Sequence, residues 1–158
     1  MPDLQKDTMA NKYPFEAIEI GKGRKLKDGE QIAILSFGHP GNFAASAIRD
    51  LKADGINPAH YDIRFVKPLD EILLHEVFTK FGKVITIEDG TIVGGFGSAI
   101  LEFMNEHGYK ADVKIMGIPD RLVEHGSPKQ LYDEIGIDAN AIADTVRAMV
   151  AAGSVQPV

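Results

Sequence analysis

From residue 31 onward, short runs rich in Ile, Val and aromatic residues alternate with stretches whose apolar residues recur at helical spacing, and that alternation points to an α/β fold. The runs are residues 31–36 (QIAILS), 61–66 (YDIRFV), 84–87 (VITI) and 113–118 (VKIMGI). Between them, Ala44, Ala47, Ile48 and Leu51 form one stripe and Leu74, Val77, Phe78 and Phe81 a second; Phe96, Ile100, Phe103 and Met104 form a third. Short strands joined by helices imply right-handed crossovers, hence an open, mostly parallel sheet covered on both faces. Such sheets bind ligands beyond the carboxyl ends of their strands, where the strand order reverses.

Turn and cap residues set the boundaries. Gly55 stops the first helix, Pro68 ends the second strand, and Asp70 is placed to cap the helix that Gly82 closes. Ser127-Pro128-Lys129-Gln130 reads as a helix start, with Ser127 as N-cap, Pro128 at the first helical position and Gln130 at the capping-box position. Asp138 is the expected cap of a last helix with Ile142, Val146, Met149 and Val150 inward. Residues 18–26 (IEIGKGRKL) suit an edge strand, because their charges and glycines fit an exposed position better than a sheet centre. The expected organisation is one domain over residues 13–152, with a flexible leader at 1–12 and a frayed tail at 153–158.

Lys and Arg total 17 against 23 Asp and Glu, a formal charge of -6, so no overall field draws the chain to nucleic acid or to an anionic membrane. The sequence has no cysteine, which removes disulfides, thiolate metal sites and a cysteine nucleophile. Residues 1–12 lack the apolar core of a signal peptide, and no segment reads as a membrane span; the cytoplasm is the expected location.

The stretch Glu88-Asp89-Gly90-Thr91-Ile92-Val93-Gly94-Gly95-Phe96-Gly97-Ser98 follows a strand and opens a helix, a place where backbone N–H groups cradle phosphate. As a dinucleotide fingerprint it fails, since Gly95-x-Gly97-x-x-Ile100 lacks the third glycine and Glu88 and Asp89 repel an anion. Tight turns and close helix-on-sheet packing are the preferred reading of these glycines, and a solvated or hydrogen-bonded role that of the two carboxylates. His39, in Gly38-His39-Pro40-Gly41, stands where a ligand would meet the sheet, but no serine, cysteine or metal partner accompanies it. His125, near Arg121, reads as local structure, and His60, His75 and His107 share no metal-ligand spacing. No nucleophile, base and orienter come together, so no catalytic, cofactor-binding or metal-ligating residue is assigned.

Four segments together resemble the C-terminal domain of the 1-deoxy-D-xylulose-5-phosphate synthase family, in the transketolase superfamily. They are Ile18-Glu19-Ile20-Gly21-Lys22-Gly23; Arg64-Phe65-Val66-Lys67-Pro68-Leu69-Asp70; Ile87-Glu88-Asp89-Gly90 with Gly94-Gly95-Phe96-Gly97-Ser98; and Gly117-Ile118-Pro119-Asp120-Arg121 with Glu124-His125-Gly126-Ser127. The resemblance covers roughly residues 14–149. It implies a three-layer α/β/α domain on a five-stranded, mostly parallel sheet whose first strand, residues 23–27, runs antiparallel beside the strand at Tyr61. The switch point then falls between the strands at Gln31 and Val84, so that Gly38, His39 and Gly41 meet Glu88, Gly94 and Gly95 in one possible ligand crevice.

The same resemblance implies an enzyme that condenses pyruvate with glyceraldehyde 3-phosphate on thiamine diphosphate and Mg²⁺ held by two preceding domains. The family's Gly-Asp-Gly cofactor motif has no counterpart here: the sequence has Lys27-Asp28-Gly29, Ala53-Asp54-Gly55 and Glu88-Asp89-Gly90. The expectation is therefore an assembly domain without turnover of its own, partnered by those catalytic domains in cis or as a separate chain and by a second copy in a homodimer. Where the family's preceding domain ends in Arg-Tyr-Pro-Arg-Gly, this chain has Lys12-Tyr13-Pro14-Phe15, which suits either an excised domain or a split-enzyme subunit. The competing reading is a stand-alone module that binds a nucleotide or phosphorylated metabolite in the crevice.

Overall fold

The computed structural model describes residues 17–153. The expected leader at 1–12 and residues 154–158 of the expected tail lie outside the described residues. In chain order the elements are β1 (Arg24–Lys27), β2 (Ala33–Phe37), α1 (Gly41–Leu51) with a 3₁₀ turn (Lys52–Asp54), β3 (Ala59–Asp62), α2 (Glu71–Lys80) and β4 (Lys83–Thr91). They continue as α3 (Phe96–Glu106), β5 (Asp112–Ile118), α4 (Pro128–Ile135) and α5 (Ala139–Ala151).

The sheet order is β1-β3-β2-β4-β5, with β1 antiparallel to β3 and the other pairs parallel. Period-two alternation along each strand sends side chains to two cores. Ile32, Ile34, Ile85, Ile87 and Met116 pack with the inward faces of α1 and α5 on one side. Ala33, Leu35, Tyr61, Ile63 and Val84 pack with α2 and α3 on the other. Each fully buried Ile or Leu contributes about 1.5–3 kcal/mol relative to exposure, so the two sets dominate the stability of the three-layer sandwich.

Three strands differ from the sequence expectation. The edge strand expected over residues 18–26 is confined to β1, Arg24–Lys27, and residues 18–23 form a turn and irregular backbone. The run at 61–66 is a strand only over Ala59–Asp62. Beyond it Arg64 takes φ 61°, and Phe65 N–H donates to the Ile63 carbonyl at 2.6 Å, a reversal that leads the chain away from the sheet. The Asp62 carboxylate lies between Arg24 at 3.1 Å and Arg64 at 3.6 Å at that point. The run at 84–87 extends over Lys83–Thr91, because Phe37 pairs with Glu88 and Thr91 with Ile118 on either side of a bulge.

The helix starts follow the cap chemistry. Asp70 accepts Leu73 N–H at 3.1 Å and, with its other oxygen, Gly23 N–H at 3.0 Å, tying the edge strand β1 to α2. Ser127 and Gln130 form the reciprocal capping box of α4, and Asp138 accepts Ala141 N–H at 2.8 Å at the start of α5. Buried Lys83 on β4 donates to the carbonyls of Met149 and Val150, satisfying two orphan acceptors at the C-terminus of α5.

Candidate functional site

Helix α1 leaves β2 on one face of the sheet and α2 leaves β3 on the other, so the strand order reverses between β2 and β4. Beyond the carboxyl ends of those two strands lie Gly38 to Gly41 on one side and the glycine-rich stretch on the other. Phe37, at the end of β2, and Phe96, at the start of α3, stack at 5.5 Å between centroids.

Glu88, at this end of the sheet, is 4% exposed. Its carboxylate accepts Phe96 N–H at 2.8 Å on one oxygen and Gly97 N–H at 2.9 Å on the other. These are orphan donors of the first turn of α3, where the helix dipole favours an anion. The position that a phosphate takes at such a terminus is thus filled by the chain's own carboxylate. The glycines make room for it: a Cβ on Gly90 would stand 2.9 Å from Glu88 Oε2, and one on Gly95 would overlap both Glu88 Oε2 and the Thr91 carbonyl. Gly117 lets β5 approach, since a Cβ there would lie 2.8 Å from the Gly90 carbonyl and 3.0 Å from Glu88 Cγ.

The other crevice residues divide. Gly38 and Gly94 take φ 76° and 73° with open space where a Cβ would point, whereas Gly41 seats α1 against Ser36, whose Oγ would be 2.9 Å from a Cβ. His39 packs against Phe43 at 5.3 Å and Tyr132 at 6.1 Å between centroids. Tyr132 O–H donates to Asp89 Oδ2 at 2.7 Å, and that bond raises the phenol's pKa above its ordinary value. Tyr132, on α4, therefore joins the two loops that flank the switch point. Beside it is a cavity of about 380 Å³ lined by His39, Phe43, Lys129, Tyr132 and Asp138 among others.

Tyr132, Phe43 and Lys129 were not singled out in the sequence. Nothing local relates Tyr132 to Asp89, which stands 43 positions earlier. The remaining histidines lie elsewhere: His60 is buried against Ser36 at 2.9 Å, and His75 bonds the Tyr109 hydroxyl at 2.8 Å and packs on His107 at 4.7 Å between centroids. Arg121 pairs with Glu134 at 3.5 Å on the surface. Among the described residues no cluster of three or more His, Asp or Glu side chains is arranged to hold a metal ion, and no helix is long and apolar enough to cross a membrane.

Residues 21–142 match the model of the family described as transketolase, C-terminal domain. The chain belongs to this family. A 1-deoxy-D-xylulose-5-phosphate synthase of Cytophaga hutchinsonii is 57% identical over 136 residues, 86% of this chain and 21% of the relative. The Bacteroides fragilis synthase is 55% identical over 82% of this chain and 20% of its own length. The chain thus spans about a fifth of the length of these synthases. Among solved structures, a split gene transketolase, an inactive beta4 tetramer, superimposes with a TM-score of 0.79 at 30% identity, covering 85% of this chain and 44% of that one. A transketolase of Pichia stipitis shares the fold at a TM-score of 0.59 and 19% identity, over 83% of this chain and 18% of that one. This transketolase C-terminal domain has the antiparallel first strand and the switch point between β2 and β4 that the resemblance implied.

Proposed function

We propose that the chain is the C-terminal assembly domain of a thiamine-diphosphate-dependent synthase that condenses pyruvate with glyceraldehyde 3-phosphate, releasing carbon dioxide, to give 1-deoxy-D-xylulose 5-phosphate in the cytoplasm. The observation that carries the absence of turnover in this chain is the Glu88 carboxylate at the N-terminus of α3. It occupies the anion position at the glycine-rich strand end, and the described residues offer no cluster for a divalent ion. In this reading thiamine diphosphate and Mg²⁺ belong to the catalytic domains, because the sequence has no Gly-Asp-Gly motif to supply the carboxylate through which Mg²⁺ would hold the diphosphate. No catalytic step is assigned to this chain.

In this reading the domain docks on the catalytic domains, in the same polypeptide or on another, and pairs with a second copy. Val93 and Leu122, 61% and 93% exposed and both beyond the carboxyl end of the sheet, are apolar side chains suited to such a contact. Calorimetry with thiamine diphosphate and Mg²⁺ tests the proposal, followed by a turnover assay with pyruvate and glyceraldehyde 3-phosphate. The expected result is no binding and no product from the chain alone, with product on addition of a polypeptide carrying the two catalytic domains. Micromolar cofactor binding by the chain alone would overturn it. Sedimentation showing only monomer at high concentration would remove the homodimer.

A second reading, a ligand module at the switch point, is favoured by the cavity beside His39 and Tyr132. A thermal-shift screen with nucleotides and phosphorylated metabolites separates the two, because a specific ligand stabilises the fold in proportion to occupancy.

A further inference from the structure

A second cavity, of about 640 Å³, opens at the other end of the sheet, between β1 and the C-terminal half of α1. It is within the size range of small-molecule sites. Leu26, Ala45, Ile48 and Ile56 supply an apolar wall. The bulge in β1 shapes it: Lys25 pairs with Tyr61 and Lys27 with His60, so Leu26 is an extra residue, and both Leu26 and Lys27 line the same space. Leu26 is left 46% exposed in consequence.

The polar lining is one-sided in charge. Lys27, Arg49 and Lys52 contribute to it and no Asp or Glu does, in a chain of formal charge -6. Lys27 is committed to the carbonyls of Asp28 and Pro58 and to Asn57 Oδ1. Among the described residues Arg49 bonds only the Ser46 hydroxyl, at 2.9 Å, and neither Arg49 nor Lys52 meets a carboxylate. Asn57 accepts from Lys27, which leaves its amide N–H donors over.

His60, 3% exposed, is the buried polar group of this lining. The Ser36 hydroxyl donates its one hydrogen to the Tyr61 carbonyl at 3.2 Å, so at 2.9 Å it accepts from His60 Nε2–H. Nδ1 is then a bare acceptor, with no partner among the described residues.

We propose that this cavity binds a small organic anion, a phosphate monoester or carboxylate with an apolar body, its charge held by Arg49 and Lys52 and its body against Leu26, Ile48 and Ile56. His60 Nδ1 accepts from a hydroxyl of a ligand that carries one. The site is separate from the switch-point crevice and does not depend on the assembly reading.

The test is a two-dimensional amide NMR titration of the chain with hexyl phosphate, hexanoate, inorganic phosphate and 1-hexanol. Saturable shifts at Ile48, Ile56, Asn57 and His60 are expected from the first two, at least about tenfold tighter than from the last two. The double variant Arg49→Gln/Lys52→Gln alters exposed side chains only and retains the folded spectrum. It is expected to weaken the two anions about tenfold and to leave 1-hexanol unchanged. Shifts confined to other surfaces, equal affinity for inorganic phosphate and hexyl phosphate, or an unweakened double variant would each overturn the proposal. So would cross-relaxation showing residues 1–16 of the chain already seated against Ile48 and Ile56.

Discussion

Glu88 and Gly97 are joined by a 2.9 Å hydrogen bond from the glycine's backbone N–H to the carboxylate, with Phe96 N–H on the other oxygen. The end of β4 and the start of α3 are thereby one unit, held by a charge-assisted pair inside the protein. Gly97 makes the approach possible: a Cβ there would stand 2.6 Å from Ile115 Cγ2 and 2.8 Å from Thr86 Oγ1.

Glu88→Gln is expected to destabilise the fold by about 3 kcal/mol, since the amide keeps one acceptor but turns an NH₂ group toward a backbone N–H. The measurement is the urea midpoint at constant m. An unchanged midpoint would mean that the carboxylate contributes nothing at the helix terminus.

Gly94 and Gly95 are neighbours with different requirements. Gly94→Ala meets open space and is expected to cost about 1 kcal/mol, for the left-handed backbone alone. Gly95→Ala drives a methyl into the Thr91 carbonyl and the Glu88 carboxylate, and its expected cost is at least about 3 kcal/mol. Equal costs would show that the backbone around Glu88 yields to the methyl group.

Burial pushes the His60 pKa from 6.5 down to about 4, with a smaller opposing effect of Asp62. Between those values the unfolded chain binds a proton that the folded chain does not. The contribution of His60 is therefore complete above pH 6.5 and is lost as pH falls toward 4, by up to about 1.4 kcal/mol per pH unit and about 3 kcal/mol in all. His60→Gln keeps a polar group beside Ser36 without titrating, and its denaturation midpoint is expected to fall less steeply over this window. Parallel slopes for the two proteins would refute the assignment.

Two of the predicted caps differ in geometry. Asp138 accepts Ala141 N–H at 2.8 Å, whereas Ser127 Oγ accepts Gln130 N–H at 3.4 Å. Asp138→Ala is expected to cost more than about 1 kcal/mol and Ser127→Ala less. Thermal denaturation of both variants reads the order directly, and the reverse order would contradict the hydrogen-bond lengths.

The layer architecture, the strand and helix types and the caps at Asp70, Ser127 and Asp138 were legible in the sequence, because each depends on neighbours within about one turn or one pleat. The order of the strands entered with the family's motifs rather than with periodicity. Strand limits were misplaced where something other than periodicity decides them: β1 starts at Arg24, which pairs with Asp62, and β4 runs on to Thr91, which pairs with Ile118, while the reversal at Arg64 ends β3.

By itself, the sequence determined that this is an α/β domain with a glycine-rich loop between a strand and a helix, since periodicity and turn chemistry are local. Only the tertiary structure decided what that loop holds. The turn of Glu88 into the N-terminus of α3, the bridge from Tyr132 to Asp89 and the cluster of Arg49, Lys52 and His60 around one cavity all depend on segments brought together by packing. Contacts over such separations leave no mark in the local spacing of residues, because they are set by how the two helical layers settle on the sheet.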